Sequence, residues 1–389
     1  MSSFSTRVVT WGVVSPERIR RLAIVYTPFQ VTSPGGGNSL ADYECFGTTS
    51  RFRTLLQTAN PWAFWQLRRV LATFRPDVVH VRIFLTQLSP LILPLLRDVP
   101  SLYHVVWYRP ICPLGTKMLP DGSICQVPAS VVCYHHRCLP LRDWLPLMLQ
   151  LKLWRRWRNA FQLIVANSEA VKRRLIAEDI TPIEVVWNGV PQRSLRPPLR
   201  RPPTIAFAGR LVREKGVDVL LRAFAKIVTH IPEARLLLAG GGPERERLTR
   251  QIADLGLSST VAMLGYLSRL EMEHHFNEAW VQAVPSRWEE PCANVVLEAM
   301  MRGTAVVASD SGGMPEMVRD GQSGLLVLPD DTEALAQALL RLLQDRTAAE
   351  RMGRVGHEIA LAHFRQEICV ERFVHFYQML TESRMREAR

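Results

Sequence analysis

Two carboxylates, Glu290 and Glu298, stand eight residues apart in the segment WEEPCANVVLEAM, and two cations, Arg210 and Lys215, stand five apart in GRLVREKG. A carboxylate accepts hydrogen bonds from hydroxyls, and an Arg–Lys pair beside the open amides of a helix start neutralises phosphate. Pairs of Glu at this spacing arise often by chance, so the elements that carry them have to decide. Pro291 is compatible with the approach to a helix, and NVVLEAMM has the apolar period of a buried one. Glu290 is therefore expected in a loop and Glu298 about two turns deeper. One carboxylate can take the two hydroxyls of a ribose, which assigns Glu298 to that task and leaves Glu290 nearer the reacting group. The backbone amides of residues 292–295, Asn294 and Val295 among them, lie just behind.

Such residues need a scaffold, and the C-terminal half supplies an alternating one. Short apolar runs at 204–210, 234–240, 261–266, 279–286, 304–309 and 324–329 are separated by helical stretches. The N-terminal half repeats the grammar, with runs at 21–28, 77–81, 101–106, 163–168 and 183–190 and a helical region that includes 61–74. This pattern predicts an α/β protein of two doubly wound, Rossmann-like parallel-sheet domains. The division is 1–190, a linker at 191–203 holding five prolines, 204–367, and a last helix within 368–389 that crosses back to the first domain. Two such domains place a cleft between the carboxyl ends of their strands, where ligands bind in open α/β sheets. Arg210 follows the first strand of the second domain, and Lys215 precedes a helix opened by Gly216. Gly36 and Gly37, in the turn SPGGGNSL, let backbone approach a diphosphate or sugar, and SGGMPE at 311–316 does similar work. His104 closes the run SLYHVV. Base recognition is expected from backbone near 263–268, around Gly265.

The chain has 389 residues and a formal net charge of +12. Residues 1–188 hold 22 Lys and Arg against 11 Asp and Glu (+11), and the remainder holds 26 against 25 (+1). The excess gives the first half an anionic partner: a membrane surface, a phosphorylated lipid or nucleic acid. Interleaved tryptophans and cations in DWLPLMLQLKLWRRWRNAF (143–161) favour the membrane, and no nucleic-acid motif appears. No apolar run is long enough to span a bilayer, and the N-terminus lacks the h-region of a signal peptide. A cytoplasmic protein, peripheral at the membrane face, is the expectation. Cys112, Cys125, Cys133 and Cys138 cluster with spacings that include no CxxC pair. Partly buried thiols in a long loop are the plainer reading, and a small structural zinc site helped by His135 or His136 is the alternative.

The ordered series GRLVREKG, AGGGPE, VPSRWEEPCANVVLEAM and TAVVASDSGGMPEMVRDGQSGLLV resembles glycosyltransferase family 4, retaining enzymes of the GT-B fold. The N-terminal half matches more loosely, through Gly35–Gly37, His104 and WNGV at 187–190. The resemblance implies a hexosyltransferase that takes a sugar from a nucleoside-diphosphate donor. It implies that Arg210 and Lys215 neutralise the diphosphate, Glu290 contacts the donor sugar, Glu298 holds ribose and His104 lies near the reactive carbon. A lipid-linked or surface-polysaccharide acceptor is expected, with no cofactor. No Asp-x-Asp occurs, so fixed cations rather than a metal are expected to hold the diphosphate. Two departures stand out: Val105 follows the histidine where many relatives have Asp, and Pro291-Cys292-Ala293 stands where Gly-Phe-Gly is often found. A related epimerase or phosphorylase, or a non-catalytic membrane scaffold, are the rival readings. GxGxxG is absent, against a dinucleotide oxidoreductase.

Overall fold

The computed structural model describes residues 5–12, 21–26, 43–46, 53–86 and 88–387. Contacts divide the chain into two compact units. One comprises Met1–Pro120, Cys125–Val186 and Val370–Arg389, the other Asp121–Ile124 and Trp187–Cys369.

The first unit is built on β1 (Ser5–Gly12), β2 (Arg21–Tyr26), β3 (Tyr43–Phe46), β4 (Val78–Arg82), β5 (Ser101–Val105), β6 (Leu163–Ala166) and β7 (Ile183–Val185). Their order is β3-β1-β2-β4-β5-β6-β7. From β2 to β7 the neighbours run parallel, as the alternation of apolar runs and helices requires. On the other side of β2, β1 pairs antiparallel with both β2 and β3, an addition that the alternation did not mark. Helix Pro61–Phe74 starts where Asn60 accepts from Ala63 N and proline fills the first helical position. Because β5 is covered on both faces, its alternate side chains enter different packing layers. Tyr103 meets Trp154 of helix Leu141–Trp157 at 5.3 Å and stacks on Phe161. His104 turns the other way, 4.8 Å from Phe373 of helix Gln366–Glu387.

The second unit carries β8 (Thr204–Ala208), β9 (Arg235–Ala239), β10 (Val261–Gly265), β11 (Val281–Val284), β12 (Ala305–Ser309) and β13 (Gly324–Val327) in the order β10-β9-β8-β11-β12-β13, all parallel. Ile205, Phe207, Leu236, Leu238 and Val281 pack on one face against helices Val217–Val228 and Thr332–Gln344. Val284, Val306 and Ala308 pack on the other, against helices Asn294–Arg302 and Arg346–His363. The chain runs outward from β8 to β10 and then outward from β11 to β13. Strand order therefore reverses between β8 and β11, and a doubly wound sheet opens a crevice at the carboxyl ends of those two strands.

Candidate functional site

The loops that leave β8 and β11 hold Arg210, Lys215, Arg287 and Glu290 in the second unit. Past β8, residues 213–215 form a single tight turn and Gly216 ends it with φ of 65°, the left-handed conformation that glycine adopts without strain. A Cβ on Gly216 would stand 2.0 Å from the carbonyl oxygen of Pro285. The two loops thus touch backbone to backbone. Lys215 Nζ donates to Glu290 Oε1, and Ser286 Oγ donates to the same oxygen at 2.7 Å. The Lys215 ammonium also lies 5.5 Å from the centre of the Trp288 ring. Glu290 is buried, whereas the Arg210 side chain is 67% exposed and reaches Glu214 at 3.5 Å.

Arg287 anchors this arrangement. Its Nη1 and Nη2 donate to the two carboxylate oxygens of Asp218 at 2.7 and 2.9 Å, its Nη1 also to Arg213 O, and its Nε to Asp330. Burial pushes the Asp218 carboxyl upward, but the hydrogen bonds and charge of Arg287, aided by Arg222, outweigh it and hold the pKa below the usual range. A third loop closes on the same place: Gly313 N donates to Glu290 O at 2.7 Å. Gly312 has φ of 61°, and its missing Cβ leaves room for that carbonyl.

Glu298 lies half-buried inside helix Asn294–Arg302 and lines a small depression with Val190, Arg193, Glu273 and Arg302. Asn294 is the first residue of that helix, where amides are open, and its Oδ1 accepts from Asn188 Nδ2 at 2.8 Å. Val295 follows, half-buried. Gly265 ends β10 with φ of 71° at the same carboxyl edge of the sheet. Cys292 packs with its sulfur 3.9 Å from Met317 Sδ, and burial pushes its thiol up to about 12, so it is neutral filling rather than a nucleophile.

Further expectations concern the first unit. Gly36 and Gly37 lie outside the described residues. His104 is buried inside β5, packed against His80 and Phe373, with neither ring nitrogen hydrogen-bonded. Burial, then the charges of Arg82 and His80, hold it well below the usual histidine range. It stands one residue from the carboxyl end of β5, uncharged and packed beside Phe373 of the last helix. The four loop cysteines come within electrostatic reach of one another: burial, followed by Cys133, Cys112 and Cys125, pushes Cys138 up to about 11. Yet among the described residues no group of three or more His, Cys, Asp or Glu is placed to hold a metal ion. All four are free, partly buried thiols, the plainer of the two sequence readings. Buried Lys117 instead pins the loop, donating to Val127 O and pairing with Glu178.

Ser286, Arg287, Asp218 and Asn188 were not singled out in the sequence. Ser286 and Arg287 nonetheless sit inside the segment VPSRWEEPC that marked Glu290, and Asp218 follows Gly216 by two positions.

Residues 25–194 match the family described as Glycosyltransferase Family 4, and residues 194–358 match Glycosyl transferases group 1. Alpha-maltose-1-phosphate synthase of Mycolicibacterium smegmatis is 32% identical over 282 residues, 63% of this chain and 72% of that protein. The chain belongs to glycosyltransferase family 4. A GDP-mannose-dependent alpha-(1-6)-phosphatidylinositol monomannoside mannosyltransferase of the same organism is 37% identical over 165 residues, 41% of this chain and 43% of that protein. Like that one, several relatives are matched over less than half of their length. Among solved structures, sucrose-phosphate synthase from Thermosynechococcus elongatus superposes with a TM-score of 0.66 at 23% identity, covering 84% of this chain and 79% of that one. Anabaena HepE in complex with UDP gives 0.63 at 19% identity, covering 82% of each. The two parallel-sheet α/β units are those of the GT-B fold that family 4 uses.

Proposed function

We propose that this family 4 protein is a retaining glycosyltransferase that moves a hexose from a nucleoside-diphosphate sugar to a glycan or lipid-linked acceptor at the cytoplasmic face of a membrane. The observation that carries the reading is the convergence of Lys215, Ser286 and Glu290 on one point of the β8–β11 crevice, with Arg210 exposed beside it. An ammonium has three donors, so Lys215 can hold Glu290 and a phosphate oxygen together. When the bond from the sugar to the diphosphate breaks, its electron pair stays on the diphosphate, and Arg210 with Lys215 stabilise that charge from fixed positions. Those cations do what a bound metal would otherwise do for the leaving group. Glu290, oriented through one oxygen, keeps the other for a sugar hydroxyl, and Glu298 receives the ribose. The acceptor hydroxyl then bonds to the anomeric carbon and passes its proton to the departing diphosphate oxygen. Relatives named as acting with GDP-mannose, and structural neighbours bound to UDP or UDP-glucose, support a nucleotide-sugar donor.

Calorimetric titration with UDP, GDP and ADP in EDTA, on wild type and Glu298→Ala, tests the reading. One nucleotide is expected to bind and to weaken roughly 10- to 100-fold in the variant, the loss of a charged hydrogen-bond acceptor. Binding by none of the three removes it.

A further inference from the structure

The sequence pointed to Trp144, Trp154 and Trp157 as a membrane-facing set, but Trp154 is wholly buried among Phe84, Tyr103 and Phe161, and Trp144 is half-buried, donating to Ser130 O. The outward stripe of helix Leu141–Trp157 is made of other residues. Leu141, Leu145 and Leu149 are 58%, 66% and 49% exposed. At 100° per residue they fall on one side of the helix with Lys152 and Arg156, also exposed. Helix Arg53–Thr58 lies alongside, tied by Thr54 Oγ1 to Asp143 at 2.8 Å and by Thr58 Oγ1 to Pro146 O at 2.7 Å, and it presents Leu55. Helix Pro61–Phe74 follows and presents Trp62 and Trp65, 59% and 61% exposed, with the Arg68 guanidinium 5.2 Å from the Trp65 ring centre.

We infer that this face of the first unit docks on an anionic lipid bilayer, with the leucines and tryptophans entering the headgroup region and the cations meeting lipid phosphate. Charge decides the occupant. The three helices carry Arg53, Arg68, Arg69, Arg142, Lys152, Arg155 and Arg156 against one acid, Asp143. A second copy would bring like charge onto like charge, whereas an anionic surface is complementary. Exposed tryptophans beside arginines suit the bilayer interface, and leucines suit the acyl boundary beneath it. Among the described residues no helix is long and apolar enough to cross a membrane, so attachment through these helices is along the surface. The inference rests on the proposed lipid-linked acceptor for its purpose, but the docking itself needs no catalysis.

Flotation of the full chain with vesicles of phosphatidylcholine, alone or with about 30% phosphatidylglycerol, tests it. Binding is expected only with the anionic lipid, falling between about 0.1 and 0.5 M salt. Leu145→Gln with Leu149→Gln, Trp62→Ser with Trp65→Ser, and Lys152→Glu with Arg156→Glu should each weaken it roughly tenfold or more. Leu145, Leu149, Lys152 and Arg156 are exposed, so for those two pairs melting temperature and nucleotide affinity should stay at wild-type values. No flotation at low salt overturns the inference, as does binding that none of the three pairs of substitutions alters. A concentration-dependent dimer dissolved by the leucine pair would assign the face to a second copy and also overturn it. Flotation without nucleotide binding leaves this surface standing and removes the transferase reading; nucleotide binding without flotation does the reverse.

Discussion

Arg287 and Asp218 form a two-pronged, buried ion pair, with Nη1 and Nη2 at 2.7 and 2.9 Å from the carboxylate oxygens. It joins the loop after β11 to the first turn of helix Val217–Val228, the helix that Gly216 opens beside Lys215. Arg287→Ala leaves Asp218 buried without its main partner, which should cost about 3–5 kcal/mol in denaturant unfolding. Arg287→Lys keeps the charge but loses the fork, so it should fall between. Because Lys215 and Glu290 sit on the joined loops, nucleotide affinity should drop in parallel. An Arg287→Ala protein with wild-type stability and affinity would show that the pair positions nothing.

Ser286 and Glu290 separate orientation from chemistry. Ser286→Ala removes a hydrogen bond to a carboxylate that Lys215 still holds, and should lower kcat roughly tenfold, about 1.4 kcal/mol. Glu290→Gln keeps the shape but not the charge and should lower kcat by about two orders of magnitude. Neither should move the affinity for free nucleotide more than about threefold, since both lie toward the sugar. Steady-state rates set against calorimetric binding check this. Equal losses in both quantities would place Glu290 at the nucleotide instead.

Gly216 is the hinge of the contact between the two loops. Gly216→Ala puts a methyl where the Pro285 carbonyl oxygen already lies and forces a left-handed backbone on an L side chain. A loss of about 2 kcal/mol or more is expected, with weakened nucleotide binding. Gly256→Ala, also at positive φ but with nothing near its missing Cβ, is the control and should cost only about 1 kcal/mol.

The second unit was open to sequence reading because each of its strands is a short apolar run followed by a turn and a helix. Glu290 and Glu298 could be assigned to loop and helix from Pro291 and the period of NVVLEAMM. The first unit was less open. β1 pairs antiparallel with β2 and β3, and no local pattern tells which edge an extra strand will join. In β5 both faces are covered, so apolar pattern gave no sign that His104 points at Phe373 rather than at solvent. The same holds for Trp154, since a helix apolar on both sides has no single inward stripe to read. Ser286 and Arg287 escaped because their importance is a matter of partners far away in sequence: Asp218 and Asp330 for one, a shared carboxylate oxygen for the other.

His80 and His104 give the first unit a pH dependence of known sign. His80 shares a 2.6 Å hydrogen bond with Tyr377 of helix Gln366–Glu387; burial first, then Arg82, lowers its pKa to about 3. His104, 5.4 Å away, is lowered for the same reasons and by His80. In the unfolded chain both titrate near the ordinary histidine value of about 6.5. Between that value and the folded pKa the unfolded state binds more protons, so stability is complete above it and falls as pH drops. Each histidine contributes a slope of about 1.4 kcal/mol per pH unit in that window. Denaturant unfolding at pH 7.5 and pH 5.0 should therefore show a decline that His80→Phe makes shallower by one histidine's share, roughly 2 kcal/mol over the interval. His80→Phe also removes the bond to Tyr377, so its stability at pH 7.5 should fall while the slope flattens. A variant whose slope matches wild type would mean that His80 takes up its proton inside the folded protein.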